Sequence, residues 1–186
     1  LKQLWLDFEL NTKALLRLGY TCNNNCFFCH SYRTGAEKTD LDTEECERRI
    51  ALAAKAGAET VVFSGGEPTI RKDILHLCRY AKSIGLKSGI ITNGRMLGYK
   101  GFSEKLHLAG LNYALVSLHG DNEETHDLHV GTSAFSQTLA GLTEISRLPV
   151  SLVVNTVLTR LNCDRLGRML DVVSKFAPLR WKISLP

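Results

Sequence analysis

The sequence runs to 186 residues, 44% hydrophobic and 23% charged, with a formal net charge of +4. That balance predicts an ordinary globular chain, most simply one domain over residues 1–186. The length falls short of the roughly 250 residues of a complete eight-stranded α/β barrel. No run approaches the ~20 apolar residues of a membrane span, Leu1-Lys2-Gln3 has no signal-peptide layout, and no block of Lys and Arg accompanies the modest positive charge. Neither a membrane nor a nucleic acid is therefore indicated as a partner.

Strand-like and helix-like segments alternate along the chain, which predicts a parallel α/β sheet. Leu4–Leu10 reads as a lead-in strand and Ala14–Tyr20 as the first barrel strand. Asp42-Thr43-Glu44-Glu45 supplies a cap and first-turn acids for a helix to about Ala56. Thr60–Ser64 is the second strand, Ile74–Ile84 a helix, Leu86–Thr92 the third strand and Ser103–Ala109 a short helix. Tyr113–Leu118 is the fourth strand, followed by a polar loop over Asp121–Thr132 and a helix over Phe135–Ser146. Val150–Leu158 is strand five, Cys163–Phe176 a helix with Asn162 as its cap, and Arg180–Leu185 strand six. Six βα units of about thirty residues fit this length, and right-handed crossovers would curl the strands into a partial (β/α)6 TIM-like barrel.

The chemistry concentrates at Cys22-Asn23-Asn24-Asn25-Cys26-Phe27-Phe28-Cys29, three thiols spaced C-x3-C-x2-C after the first strand. A zinc site would close with four Cys or His ligands, and the nearby fourth donor, His30, adjoins Cys29 too closely to wrap the same ion. Cys46, Cys78 and Cys163 stand alone, with no second C-x-x-C half-site. This usage argues against a disulfide scaffold and for a reducing cytoplasm. Three ligands on a four-iron cubane would leave one iron free to bind something else, and the asparagines suit a tight, turning backbone. A second motif, Val61-Val62-Phe63-Ser64-Gly65-Gly66-Glu67-Pro68, is an apolar strand running into G-G-E-P.

Together the two motifs resemble the core of the radical S-adenosylmethionine (radical SAM) superfamily, from about Leu15 to Leu185 by strand count. The resemblance implies a [4Fe-4S] cluster on Cys22, Cys26 and Cys29 whose open iron chelates S-adenosylmethionine. One electron, from a donor such as flavodoxin or ferredoxin, would release a 5′-deoxyadenosyl radical to take hydrogen from an unidentified substrate. It implies that Gly65 and Gly66 let the backbone approach the methionine moiety and that Glu67 offers its carboxylate to the ammonium, with Pro68 fixing the turn. Phe28 would meet adenine and Ser117 the ribose, and Asn93 and Asn155 would contact the cofactor. Any helix after strand six, and any following domain, are expected to lie outside this core. The alternative is a non-catalytic iron–sulfur or zinc module.

The sequence departs from the peptide-maturing branch, where an arginine often follows a His-Asp pair. Here His126-Asp127 precedes Leu128-His129-Val130-Gly131. On strand four, Ser117 and His119 share a face, and on strand six Arg180, Lys182 and Ser184 alternate with apolar residues. His119 and Lys182 are thus candidates to meet the substrate or the cofactor carboxylate, unless strand six is an edge whose polar face meets solvent. Cys46 and Cys78 are expected as small buried hydrophobes, His76 and His107 on helix surfaces, and Trp5 and Trp181 in packing.

Overall fold

The structure, a computed structural model, describes residues 13–29 and 39–186. The expected strand Leu4–Leu10, with Trp5 and His30, falls outside the described residues. Six strands, β1 Lys13–Arg17, β2 Thr60–Ser64, β3 Lys87–Thr92, β4 Leu111–Ser117, β5 Ser151–Val157 and β6 Arg180–Ser184, form one parallel sheet in sequence order. The connections carry α1 Thr43–Lys55, α2 Ile74–Ser83, α3 Phe102–Ala109, α4 Glu123–Val130, α5 Phe135–Ser146 and α6 Leu166–Val173. Parallel neighbours need such crossovers, because a tight turn cannot return the chain to the same end of the sheet.

The core lies between the sheet and these helices. Val61, Phe63, Ile90, Ala114, Val116 and Val154 project from the strands against Ile50, Leu77, Leu106, Leu142 and Ile145, all of them buried. The opposite face looks into a lumen, and one contact shows how far the sheet curls. Lys13 Nζ on β1 sits 4.6 Å from the centre of the Tyr113 ring on β4. Three strand spacings would hold those positions about 14 Å apart in a flat sheet. The sheet is nevertheless open, with β1 and β6 as its two edges, which makes it a partial barrel of six βα units.

Local signals explain most element boundaries. Asp42 accepts the Glu45 N–H at 2.8 Å, and Glu44 and Glu45 sit in the first turn of α1, where the helix dipole favours acids. Cys46 and Cys78 are buried among helix residues, while Cys163 is exposed. Trp181 packs against the core and donates its indole N–H to Thr156 Oγ1 at 2.9 Å. His76 is exposed, whereas His107 is half-buried.

Two expectations are corrected. The polar stretch 121–132 contains α4, started by Asn122, whose side chain accepts the Thr125 N–H, and stopped by Gly131 at φ +66°. Its buried positions are Thr125, His126, His129 and Val130, so an apolar stripe is missing even though the face is interior. The helix expected over Cys163–Phe176 is a short α6 flanked by 3-10 turns at Cys163–Arg165 and Ser174–Phe176. Asn162 makes no side-chain cap. It is fully buried instead, taking the Thr159 N–H on Oδ1 and donating from Nδ2 to the His119 and Val157 carbonyls.

Candidate functional site

At the C-terminal ends of the strands the chain encloses a cavity of about 420 Å³. Its wall contains Cys22, Cys26 and Cys29, Phe28, the Gly65-Gly66-Glu67 turn, Asn93, Ser117 and His119. Sites on parallel barrels form at this end, because the loops that leave the strands converge there.

The two motifs are welded by backbone. Leu18 N–H donates to Ser64 O, Gly66 N–H to Gly19 O and Glu67 N–H to Thr21 O, each at 2.9 Å, extending the β1–β2 ladder past both strands. The approach is so close that only glycine fits. A Cβ on Gly66 would stand 2.1 Å from Thr21 O, and one on Gly65, already at φ +130°, 2.4 Å from Gly19 O. What these glycines make room for in the first place is the chain's own backbone leading into Cys22.

Glu67 is almost completely buried. Its Oε1 accepts from Thr69 N–H at 3.0 Å, Thr69 Oγ1 at 2.6 Å and Thr92 Oγ1 at 2.6 Å; Oε2 accepts from Asn93 N–H at 2.7 Å. The carboxylate thus clamps the end of β3 to the turn after β2. Burial raises its pKa, against the pull of those hydrogen bonds. Oε2 takes one bond and keeps acceptor capacity. Pro68 opens the following 3-10 turn, Pro68–Ile70, buried and behind the cavity wall.

The asparagines of the cysteine loop act as straps. Asn93 Nδ2 donates to Asn23 Oδ1 at 2.7 Å, and Arg95 Nη1 donates to the Asn23 carbonyl and to Asn24 Oδ1. Asn25 N–H donates to Val130 O at 2.8 Å, which ties the loop to the end of α4. Burial pushes the Cys22 thiol up and the Cys26 thiol up to about 12, the latter also through neighbouring Cys22 and Cys29. Bound cations reverse that trend, since a coordinated thiol is deprotonated outright. Among the described residues no three His, Cys, Asp or Glu side chains converge on one ion-sized point. The thiols border the cavity together, and their softness fits iron–sulfur ligation.

The far wall is aromatic. Phe28 meets His119 edge-on, with ring centres 4.9 Å apart, and His119 stacks on His126 at 6.0 Å and His129 at 6.2 Å. His119 Nδ1 accepts the Val157 N–H at 3.1 Å, so the neutral ring carries its proton on Nε2. His126 Nδ1 accepts the His119 N–H at 3.1 Å, while its buried Nε2 has no partner among the described residues. Asp127 caps α5, taking the Ala134 and Phe135 N–H groups at 2.9 Å. Burial holds all three histidines below the usual imidazole range, His126 at about 4. This group of three histidines is therefore uncharged near neutral pH.

Two of the residues expected in the site stand apart from it. Asn155 is level with Ser117 on the neighbouring strand but outside the cavity wall, its Oδ1 accepting from Ser184 Oγ at 3.3 Å. Lys182 is exposed on edge strand β6, on the lumen face, also outside the wall. Thr69, Arg95, Asn162, His126 and His129 hold the site together and were not singled out for it from the sequence, whereas Thr92 was placed there at the end of the third strand. Their signal is buried polarity, which a lone sequence does not display.

An open parallel barrel with a three-cysteine loop strapped over a cavity at its strand ends defines a cluster-bearing α/β core. The family model of the radical SAM superfamily matches residues 16–172. The chain belongs to that superfamily, whose cofactors are a [4Fe-4S] cluster and S-adenosylmethionine. It is 30% identical over 164 residues to the AdoMet-dependent heme synthase of Methanosarcina barkeri, covering 87% of this chain and 47% of that protein. It is 33% identical over 179 residues to a probable GTP 3′,8-cyclase of Thermococcus kodakarensis, covering 94% and 57%. The fold superposes on Streptococcus suis SuiB bound to precursor peptide SuiA with a TM-score of 0.78 at 18% identity, over 93% of this chain and 39% of that one. The chain thus spans about half the length of the curated relatives it matches.

Proposed function

We propose that this chain is the catalytic core of a radical SAM enzyme, with Cys22, Cys26 and Cys29 holding the cluster and the rest of the cavity receiving S-adenosylmethionine. The observation that carries the reading is that the three thiols, the G-G-E-P turn and the Phe28–His119 wall border one cavity. When bound, the cluster supplies an electron that cleaves the sulfonium and delivers a 5′-deoxyadenosyl radical to a substrate. The protein's part is to place the groups and exclude water. Glu67 holds Asn93 and Thr92 at the cavity rim and offers Oε2 to the cofactor's ammonium. Phe28 presents an aromatic surface for adenine, Ser117 a hydroxyl for ribose, and neutral His119 an N–H at the edge of the reaction space.

A low-potential donor such as flavodoxin or ferredoxin would feed the cluster, in the reducing cytoplasm that the isolated thiols favour. No described helix is long and apolar enough to cross a membrane. The relatives' names divide between a heme synthase and a GTP cyclase, which supports the shared radical chemistry rather than either substrate. Anaerobic reconstitution tests the reading. About four irons and four sulfides per chain, with 5′-deoxyadenosine formed on reduction, are expected. Zinc in place of iron, or a cluster that never cleaves S-adenosylmethionine, would overturn it.

A further inference from the structure

The register of the sheet gives the lumen face residue by residue. On edge strand β1 it carries Lys13, Leu15 and Arg17; on the other edge, β6, it carries Arg180, Lys182 and Ser184, paired with Val153, Asn155 and Val157. None of the six strands contains an Asp or a Glu. Lys87, the other base in a described strand, opens β3 in register with Lys13 and borders a groove at that end of the strand with His107 and Asn112. The two lumen edges are thus cationic, and nothing in the sheet opposes them.

Six arginines of the helices and loops are paired with acids, and these four bases are not. Arg48, Arg49, Arg71, Arg147, Arg165 and Arg168 each meet a carboxylate within 3.3 Å. Among the described residues Lys13, Arg17, Arg180 and Lys182 have no such partner. Lys13 and Arg17 lie on aromatic rings instead, Lys13 on Tyr113 and Arg17 at 5.5 Å from the Tyr20 centre. Burial raises the Tyr113 phenol, and the Arg180 charge from β6 pulls it the other way. Aromatic faces hold a cation in place while leaving its N–H donors open.

We propose that the lumen takes a polyanionic substrate, phosphate- or carboxylate-bearing, whose charged end is gripped by Arg17 from β1 and by Arg180 and Lys182 from β6. Arg17 also borders the cysteine-lined cavity, so a substrate anchored there reaches the site of radical formation. The proposal rests on the radical SAM reading of that cavity. Open clefts lined by one sign of charge concentrate counter-charged ligands and speed their capture. Edge strands also use lysine to deter pairing with other chains. That role predicts aggregation on charge removal, with anion binding untouched.

Calorimetric titration separates the two. Tripolyphosphate and citrate serve as probes of phosphate and carboxylate, titrated into the protein without cluster or S-adenosylmethionine at two salt concentrations. The wild type should bind at least one, more weakly at higher salt. The triple variant Arg17→Gln/Arg180→Gln/Lys182→Gln should bind at least tenfold more weakly, and Lys175→Gln, on an outer turn, should match the wild type. An Arg17→Lys/Arg180→Lys variant keeps the charge and should stay within about threefold, since both side chains donate to anions; it decides the matter if the triple variant fails to fold. A wild type that binds neither probe, a triple variant that binds as well as wild type, or equal loss in Lys175→Gln or in the charge-conserving variant would overturn the proposal. Iron content and 5′-deoxyadenosine are measured on separately reconstituted wild type. Their absence with anion binding intact would sink the enzyme reading alone.

Discussion

Gly66 is the most exacting position in the site, and Gly66→Ala tests how the two motifs are joined. The new methyl would stand 2.1 Å from Thr21 O, 2.5 Å from Tyr20 O and 2.6 Å from Thr21 C. All three are backbone atoms, so no side chain can swing away. The segments must part by more than about 1 Å before the contact reaches van der Waals distance. That separation breaks the Gly66–Gly19 and Glu67–Thr21 hydrogen bonds, about 1 kcal/mol each, and adds an overpacking cost of about 1–3 kcal/mol, for about 3–5 kcal/mol in all. The matched control is Gly167→Ala, in α6 with nothing within 4 Å of the new methyl, where helix propensity predicts a gain of roughly 0.5–1 kcal/mol. Urea unfolding followed by circular dichroism reads both. A Gly66→Ala protein within about 1 kcal/mol of wild type, well inside the margin of a typical domain, would refute the close approach.

Glu67→Gln should cost about 2 kcal/mol, because the amide can face the three donors on Oε1 only by turning its NH2 toward the Asn93 N–H; an unchanged urea midpoint would contradict the clamp. Acid should weaken the fold. In the unfolded chain His126 takes its proton near pH 6.5, and in the native protein only near pH 4. The unfolded state therefore binds more protons between those values, and stability falls as pH drops through that window, by up to about 3 kcal/mol from His126. His119 and His129 shift in the same direction. A urea midpoint that stays flat from pH 7.5 to pH 5 would rule this out. Cys26→Ala should lose most of its reconstituted iron, while Cys46→Ala and Cys163→Ala keep theirs; full iron in Cys26→Ala would remove the loop from the ligand set.

The sheet was legible because β2, β3 and β5 are apolar runs bounded by turn residues, and each βα unit announces itself with a cap or a glycine. The cysteine loop and the G-G-E-P turn were equally plain, since covalent spacing alone brings their residues together. α4 was not, although Asn122, Glu123, Glu124 and Gly131 mark its ends. Its interior face is built of Thr125, His126 and His129, and a search for apolar periodicity passes over buried histidines. Asn162 read as a cap because asparagine favours that position. Its bonds to the His119 and Val157 carbonyls exist only once β4 and β5 are aligned. Glu67 likewise shows its donors only in three dimensions, two of them arriving from Thr92 and Asn93 at the end of β3, 25 and 26 residues away.

The straps on the cysteine loop bear on how the protein is assembled. Asn93, Arg95 and Val130 hold residues 23–25 through hydrogen bonds. In small zinc domains the metal supplies the folding free energy, and its removal unfolds the chain. Here positions 23–25 are tied to the end of β3 and to α4 through groups other than the thiols, so replacing a cysteine by alanine removes a ligand and leaves these straps in place.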